Sequence, residues 1–210
     1  MSNFIENAQW RYATKKYDTT KKISAENLEI LKQAAQLSAS SFGLQPYKII
    51  DVVNPEVRQK LVGAAWNQQQ LADASHVFVL ANIIDFNQDD LNDFFENVKT
   101  TRNLTDEDVA GYRNFVSGFV NNLPAETKNN WTSKQAYIVL SNLLNAAAEL
   151  RIDATPMEGF VPEQVNEILG LTEQRLNASL IVCLGYRAQD DHYQHLAKVR
   201  KPQLDLFITI

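Results

Sequence analysis

The segment from His76 to Asn82 is a short apolar run, and it constrains the fold more than any other stretch of the chain. A strand that is buried on both faces has this pattern, because neither face needs polar side chains. The segment from Asn177 to Tyr186 has the same character, and Tyr47 to Val53 is rich in β-branched and aromatic residues. Three such runs, separated by helical patterns, predict a central sheet covered by helices.

Helical patterns occupy the intervals between these runs. Ser24 precedes an apolar stripe of helical period, which predicts a capped helix over residues 25–38. A second predicted helix begins at Pro55 and ends at Trp66. The apolar face of residues 131–150 is wide and nearly free of charge, so we expect a helix there that is buried in a core or between subunits.

Two further segments complete the predicted order of elements. Residues 85–130 are polar with scattered aromatic side chains, and we predict helices there that form a variable excursion from the core. The alternating segment from Leu204 to Ile210 predicts a terminal strand. We find no internal repeat or linker, so we expect one α+β domain over residues 1–210, with a central, mostly antiparallel sheet flanked by helices.

The charge pattern argues against two classes of partner. The chain has a net charge of -5, and its 20 basic residues are dispersed, whereas nucleic acids and anionic membranes bind concentrated positive charge. Residues 1–6 lack the basic start and apolar core of a signal peptide, and no apolar run approaches the ~20 residues of a membrane span. We therefore expect a cytoplasmic protein without nucleic-acid or membrane partners.

The residues that most often bind metal ions are few. Cys183 is the only cysteine, so an intrachain disulfide and a thiolate metal cluster are excluded, and its apolar surroundings favour a buried, inert thiol. His192 and His195 are three residues apart without a nearby carboxylate cluster, which favours a solvated pair over a zinc site. His76 opens an apolar strand, which favours a structural role. We expect no metal.

Five short polar clusters lie at predicted element boundaries: 11–15, 38–46, 67–70, 156–160 and 198–202. The seven glycines never fall in a G-x-G-x-x-G or phosphate-loop spacing, which argues against a Rossmann dinucleotide site and against a nucleoside triphosphatase. The basic residues near both termini could converge on a phosphate. On composition alone, a solvated basic surface is the favoured interpretation over such a clamp.

The type and order of these clusters resemble the FMN-dependent nitroreductase family, in particular its oxygen-insensitive NAD(P)H nitroreductase and dihydropteridine reductase branch. The segment Arg11-Tyr12-Ala13-Thr14-Lys15-Lys16-Tyr17 is similar to the family's R-x-S-x-R/K-x-F/Y signature, and residues 38–46 are similar to its S-P-S-S-x-N-x-Q-P loop. Asp73-Ala74-Ser75-His76, residues 154–160 and Lys198-Val199-Arg200-Lys201-Pro202 match in the same order. The five matches extend from residue 11 to residue 202.

The resemblance implies an intertwined homodimer of nitroreductase-like fold, with FMN bound between the subunits and NAD(P)H as electron donor. Its FMN phosphate would be held by Arg11, Lys198 and Arg200, and the flavin would be contacted by Ser40 and Ser41 of the other subunit. Lys15 would lie near the pyrimidine end of the ring, Asn67 would bind its polar edge, and the backbone N–H groups of Glu158 and Gly159 would face N5 and O4. The remaining cofactor-binding positions carried over from the family are Tyr12, Ala13, Gly43, Gln70, Pro156 and Met157.

Three positions depart from the family's pattern, and the motifs do not fix the position of its substrate-contacting aromatic residue. Ala13 stands where serine is usual, and Gly43 stands where asparagine is frequent. Gln70 replaces a frequent lysine, which predicts a lower flavin reduction potential than in relatives that have both lysines. Phe115 and Phe119 are candidates for contact with the substrate, with packing as the alternative role.

The function implied by the resemblance is FMN-dependent reduction of nitroaromatic or quinone-like acceptors by NAD(P)H, with hydride transferred in a ping-pong cycle. Reduction of flavin, pteridine or enone acceptors on the same fold would use the same residues. A non-catalytic flavin-binding or interaction protein is the alternative from another class. Independently of the family, the apolar helix over residues 131–150 and the apolar tail have two interpretations of nearly equal weight. They form a large subunit interface, on the order of 2,000 Å² or more, or they fill the core of a single subunit.

Overall fold

The computed structural model describes residues 3–210 and contains a four-stranded sheet of order β1-β2-β4-β3 in which every neighbouring pair is antiparallel. The strands are Tyr47–Asp51 (β1), His76–Ile83 (β2), Asp153–Met157 (β3) and Leu176–Gly185 (β4). The two central strands, β2 and β4, are the two apolar runs of the sequence. The predicted antiparallel central sheet is confirmed.

The helices surround this sheet and carry the polar clusters at their ends. Their bounds are Asn3–Trp10 (α1), Ala25–Gln36 (α2), Pro55–Ala64 (α3), Gln70–Asp73 (α4), Gln88–Arg102 (α5), Asp106–Asn121 (α6), Ala125–Glu149 (α7), Pro162–Leu169 (α8) and Gln203–Leu206 (α9). The predicted helices over 25–38, 55–66 and 131–150 are confirmed, although α3 ends at Ala64 and α7 begins at Ala125. Among residues 3–210, no helix is long and apolar enough to cross a membrane.

Both faces of the sheet are covered. Alternate side chains of a strand point to opposite faces, so Val77, Val79 and Cys183 pack with α3 and α8, whereas Phe78 and Leu80 pack with α2 and α7. Cys183 is fully buried, as the sequence predicts, and burial raises the pKa of its thiol far above the ordinary value. A thiol in this position is protonated and shielded from reagents.

The predicted helical excursion over residues 85–130 consists of α5, α6 and the beginning of α7. Helices α5 and α6 each begin with a capping box, built by Asn87 with Asp90 and by Thr105 with Asp108. Their facing sides form an apolar cluster of their own, which includes Leu44, Phe86, Leu91, Phe95, Val109, Val116 and Val120. The excursion therefore packs on the chain just before β1 through Leu44.

Two segments differ from the sequence-based expectation. Residues 204–210 do not form the predicted terminal strand, because this part of the chain turns through the short helix α9 and has no neighbouring strand to pair with. Its apolar side chains are exposed. Conversely, β3 was not predicted, because Thr155 and Pro156 interrupt the apolar pattern; proline is tolerated there since β3 is an edge strand.

Candidate functional site

The basic residues from the two ends of the chain meet at one cavity. Arg11 and Lys15 follow α1, while Lys198 and Arg200 follow the short 3-10 turn at His192–His195. All four line a cavity of about 380 Å³, together with Tyr12 and Ala13. The structure thus brings together the first and last of the five polar clusters, which the solvated-surface interpretation did not require.

The charges in this cavity have no acidic counterpart. No Asp or Glu lines the cavity, and none of the ion pairs found among residues 3–210 contains Arg11, Lys15, Lys198 or Arg200. Burial, followed by the nearby charge of Arg200, lowers the pKa of Arg11. The pKa of Lys198 is lowered by burial and by both arginines. An anion in the cavity would relieve this repulsion.

One side-chain donor of a residue that lines the cavity is left without a partner. The Nε atom of Arg11 is buried and makes no hydrogen bond. A buried donor without an acceptor is costly, because it has lost its water and gained nothing in return. The residues present therefore fit a bound oxyanion such as a phosphate group, which would accept hydrogen bonds from guanidinium and ammonium groups.

The segment that carries Arg11 is fixed by aromatic stacking and by a buried ion pair that the motifs did not indicate. The guanidinium of Arg187 lies 4.4 Å from the ring centre of Trp10 and 4.5 Å from that of Tyr12. Its Nη2 atom lies 2.6 Å from Oδ1 of Asp153, which is buried at the start of β3. Arg187 is therefore engaged by Asp153 and by the two rings, and it does not line the cavity.

Strand β3 leads from the cavity to the 156–160 cluster. Ala13 forms a parallel bridge with Ala154, and Pro156 and Met157 complete the strand before Glu158 and Gly159. At the ordinary strand rise, residues 154 and 158 are separated by roughly 13 Å. The 156–160 cluster thus begins at the far end of a short strand whose near end touches the cationic segment.

Gly159 lies against the loop that contains Asn67. A Cβ atom at Gly159 would be 2.8 Å from Cζ3 of Trp66, so only glycine fits without displacing this ring. The side chain of Gln68 donates a 2.8 Å hydrogen bond to the Gly159 carbonyl. Trp66 and Asn67 both have positive φ angles, and Gln70 is buried at the start of α4. The 67–70 and 156–160 clusters are therefore neighbours.

A side chain of α7 reaches the same region. The Tyr137 hydroxyl donates a hydrogen bond to the Glu158 carboxylate. Partial burial and then this carboxylate raise the pKa of Tyr137 to about 12. This hydrogen bond connects Glu158 to α7, the long helix that packs on the sheet. The sequence motifs did not indicate a role for Tyr137.

The serine loop does not line the cationic cavity of its own chain. Ser40 Oγ accepts a 2.9 Å hydrogen bond from Gln45 N, and Ser41 N donates a 2.8 Å hydrogen bond to Oε1 of Gln135 on α7. Gly43 has a φ of 76°, a conformation that favours glycine over asparagine or any larger residue. The loop is therefore shaped by its own contacts and lies apart from Arg11.

The two candidate substrate aromatics lie beside this serine loop. Phe115 and Phe119 project from α6 with their ring centres 6.0 and 5.1 Å from that of Phe42, in edge-on arrangements. Tyr112 donates a 3.1 Å hydrogen bond to the Phe42 carbonyl. Phe115 remains mostly exposed. Both candidates therefore pack against Phe42 while keeping surface available.

The histidines lie away from this arrangement. His192 and His195 are exposed in their 3-10 turn, and His76 Nδ1 lies 3.8 Å from Oδ1 of Asp51. Within residues 3–210, no group of three or more histidine, cysteine or acidic side chains is placed to hold a metal ion.

Comparison with known proteins agrees with the motifs. Residues 8–186 match the model of the nitroreductase family. A Bacillus subtilis protein with the provisional name NAD(P)H nitroreductase YfkO is 35% identical over an alignment of 203 positions, which covers 90% of each chain. The major NAD(P)H-flavin oxidoreductase of Aliivibrio fischeri is 32% identical over an alignment of 213 positions, which covers 98% of this chain and 97% of its own.

Solved structures agree in fold. A provisionally named nitroreductase of Exiguobacterium sibiricum, solved in complex with FMN, superposes with a TM-score of 0.84 over 100% of this chain and 98% of its own, at 21% identity. The family match covers most of the chain and includes both central strands of the sheet. The resemblance found from the five motif matches is thereby confirmed, and the chain belongs to the nitroreductase family.

Proposed function

We propose that this protein is an FMN-dependent NAD(P)H oxidoreductase that reduces nitroaromatic or quinone-like acceptors. The observation that carries the proposal is the cavity in which Arg11, Lys198 and Arg200 converge without an acidic partner. The buried, unpartnered Nε of Arg11 is suited to a phosphate oxygen. Membership of the nitroreductase family makes the phosphate of FMN the ligand that fits best.

The residues that would hold FMN form two groups, one at the cationic cavity and one at the far end of β3. Arg11, Lys198 and Arg200 would bind its phosphate, and Lys15 would place a positive charge near the pyrimidine end of its ring. Glu158 and Gly159 would face the ring through backbone N–H groups from the far end of β3. When bound, FMN supplies the redox chemistry, since it takes hydride from NAD(P)H and passes it to an acceptor.

The chain's own residues contribute binding, orientation and charge. A cation at Lys15 favours negative charge in the pyrimidine region, which lowers the cost of reduction. Gln70 is uncharged, so of the two family lysine positions only Lys15 would place a cation beside the reduced flavin, and we expect a lower reduction potential than in relatives that have both lysines. The packing of Trp66 and Gln68 on Gly159 holds the loop after β3 in place, which would keep its N–H groups oriented.

A homodimer is part of the proposal. The serine loop does not line the cationic cavity of its own chain, so a second subunit would have to bring Ser40 and Ser41 to the flavin. Large exposed apolar side chains support the same conclusion, among them Ile138 of α7 and the tail residues Leu204, Leu206, Phe207, Ile208 and Ile210. Exposed apolar surface of this kind on a globular protein marks a site of interaction with another subunit or partner.

Free flavin is a second candidate acceptor. The Aliivibrio fischeri relative is named as an NAD(P)H-flavin oxidoreductase, and it aligns over nearly the whole chain. Phe115 and Phe119 offer aromatic surface on which a flat acceptor of either kind could stack. The two candidates share every residue of the cofactor site, so they are distinguished by comparing kcat/KM for each acceptor.

Steady-state kinetics test the proposal. Initial rates with varied NADPH or NADH at several fixed quinone concentrations are expected to give parallel double-reciprocal lines, because donor and acceptor use the site in turn. Arg11→Gln should lower FMN affinity about tenfold or more, whereas Arg102→Gln, on the exposed side of α5, should leave it unchanged. Absence of flavin-dependent NAD(P)H oxidation in the wild-type protein would refute the enzymatic proposal and favour a binding or interaction protein.

A further inference from the structure

Asp191 is a buried carboxylate at the junction of the two segments that line the cationic cavity. The residue is 1% exposed. Oδ2 accepts hydrogen bonds from the Tyr12 hydroxyl at 2.9 Å, from Lys15 N at 2.8 Å and from Lys16 N at 3.2 Å. Oδ1 accepts a 3.1 Å hydrogen bond from Tyr193 N. One side chain thus holds the segment after α1 and the segment that leads to Lys198.

The bonding of Asp191 also explains why the nearby cations stay unpaired. Its oxygens are occupied by two backbone N–H groups of residues 15 and 16, one of residue 193, and a phenol. The ammonium group of Lys15 is turned instead toward the Tyr193 ring, 6.0 Å from its centre. The carboxylate therefore fixes the backbone of the cationic segment without neutralising the charges that line the cavity.

Asp190 provides a contrast one residue earlier. It is exposed and forms a 2.7 Å ion pair with Lys16, which is also exposed. Exposed pairs of this kind contribute little to stability or geometry. The two adjacent aspartates therefore have the same side chain but differ in burial and in hydrogen-bond partners, which makes Asp190 a matched control for Asp191.

We propose that Asp191 is a positioning residue that sets Arg11 and Lys15 for the phosphate and ring of the flavin, an inference that rests on the proposed function. Asp191 contacts neither the flavin nor the reacting atoms. It acts indirectly, through its hydrogen bonds to Tyr12 and to the backbone of residues 15 and 16. Preorganisation of this kind raises affinity because the bound geometry is already formed in the free protein. The low pKa of Asp191, which its hydrogen bonds produce against the opposing effect of burial, keeps the carboxylate ionised near neutral pH.

The test compares Asp191→Asn with Asp190→Asn in the flavin-free protein. Asparagine has nearly the same shape as aspartate, but its amide nitrogen would face a donor instead of accepting from it. We expect Asp191→Asn to weaken FMN binding about tenfold or more, and Asp190→Asn to leave it unchanged. Riboflavin, which lacks the phosphate, should lose distinctly less affinity for Asp191→Asn than FMN does.

A purely structural role would give a different result. Asp191→Asn is expected to be less stable under either role, so the affinity ratio decides. If the ratio of FMN to riboflavin affinity stayed at its wild-type value in Asp191→Asn, the inference would be overturned. Tyr12→Phe removes one donor and keeps the carboxylate, so it serves if Asp191→Asn does not fold. The expected result is a smaller decrease in the same ratio, and an unchanged ratio would count against the inference.

Wild-type binding separates the inference from the proposed function. Wild-type protein that binds no FMN would contradict the proposed function itself. Wild-type and Asp191→Asn proteins that bind FMN equally well would leave the proposed function in place and refute the positioning role alone.

Discussion

The ammonium nitrogen of Lys198 lies 2.5 Å from the carbonyl oxygen of Ala8 in the last turn of α1. The same group also donates to the carbonyl of Arg11. A cation is stabilised at a helix C-terminus, where carbonyl groups lack intrahelical partners. Lys198 therefore has two roles: it connects the C-terminal segment to α1, and it adds a positive charge to the cavity.

Removing this charge should weaken phosphate recognition. We expect Lys198→Met to lower FMN affinity about tenfold and riboflavin affinity much less, since only FMN carries the phosphate. Lys201→Met is the matched control, because Lys201 is exposed and does not line this cavity. Fluorescence titration of the flavin-free proteins measures both affinities. Equal losses for the two flavins would contradict a phosphate role for Lys198.

The contact between Gly159 and Trp66 predicts the effect of adding one methyl group. In Gly159→Ala the new Cβ would meet Cζ3 and Cε3 of Trp66 at 2.8 and 2.9 Å. Because this ring is mostly exposed and can move aside, we expect a loss of about 1 kcal/mol, at the low end of the cost of overpacking. Chemical unfolding measures this loss, and a change in tryptophan fluorescence reports the displaced ring. Gly63→Ala in α3 meets nothing within 4 Å and should stabilise by roughly 0.5–1 kcal/mol. Similar unfolding free energies for the two variants would refute this packing argument.

The low pKa of Asp191 predicts a pH dependence of stability. A group whose pKa is lower in the folded than in the unfolded state stabilises the fold above the unfolded value, about 3.9 for aspartate, and loses that contribution as the pH falls through the folded value. The wild-type protein should therefore exceed Asp191→Asn in unfolding free energy at pH 6–7, and the gap should narrow below about pH 4. Urea unfolding across this range measures the gap. A gap that widens in acid would show that the sign is wrong.

The exposed tail predicts a role in assembly. Alternate residues of an extended segment point to opposite sides, so Ile208 and Thr209 of the tail differ in orientation as well as polarity. We expect Ile208→Asp to weaken the proposed homodimer and Thr209→Asp to have a smaller effect, because burying one large aliphatic side chain is worth roughly 1.5–3 kcal/mol. Sedimentation analysis over a range of concentrations measures both. A chain that is monomeric before any substitution would remove the basis of this prediction.

The sheet centre and the cation cluster could be predicted from the sequence for different reasons. β2 and β4 are visible because a strand buried on both faces excludes polar residues over its whole length. The convergence of Arg11 with Lys198 could be predicted only through the family resemblance, because nothing local links two segments so far apart in the chain.

The features that the sequence did not predict, or predicted wrongly, also have physical causes. Asp191 was overlooked because its role comes from contacts with residues 175 to 179 positions away, and a lone aspartate in a polar segment carries no sequence signal. β3 was missed because Thr155 and Pro156 fit an edge strand and not a central one. The tail was predicted as a strand from its alternation, but a strand also needs a neighbour, which a single chain does not provide for residues 204–210.

The most direct test of the central claim is the visible absorption spectrum of the purified protein before and after anaerobic addition of NADPH or NADH. We expect a yellow protein that releases FMN on denaturation and is bleached by at least one of the two donors. A colourless protein that neither binds added FMN nor oxidises NAD(P)H would contradict the central claim, and the cationic cavity of Arg11 would then need a different anion.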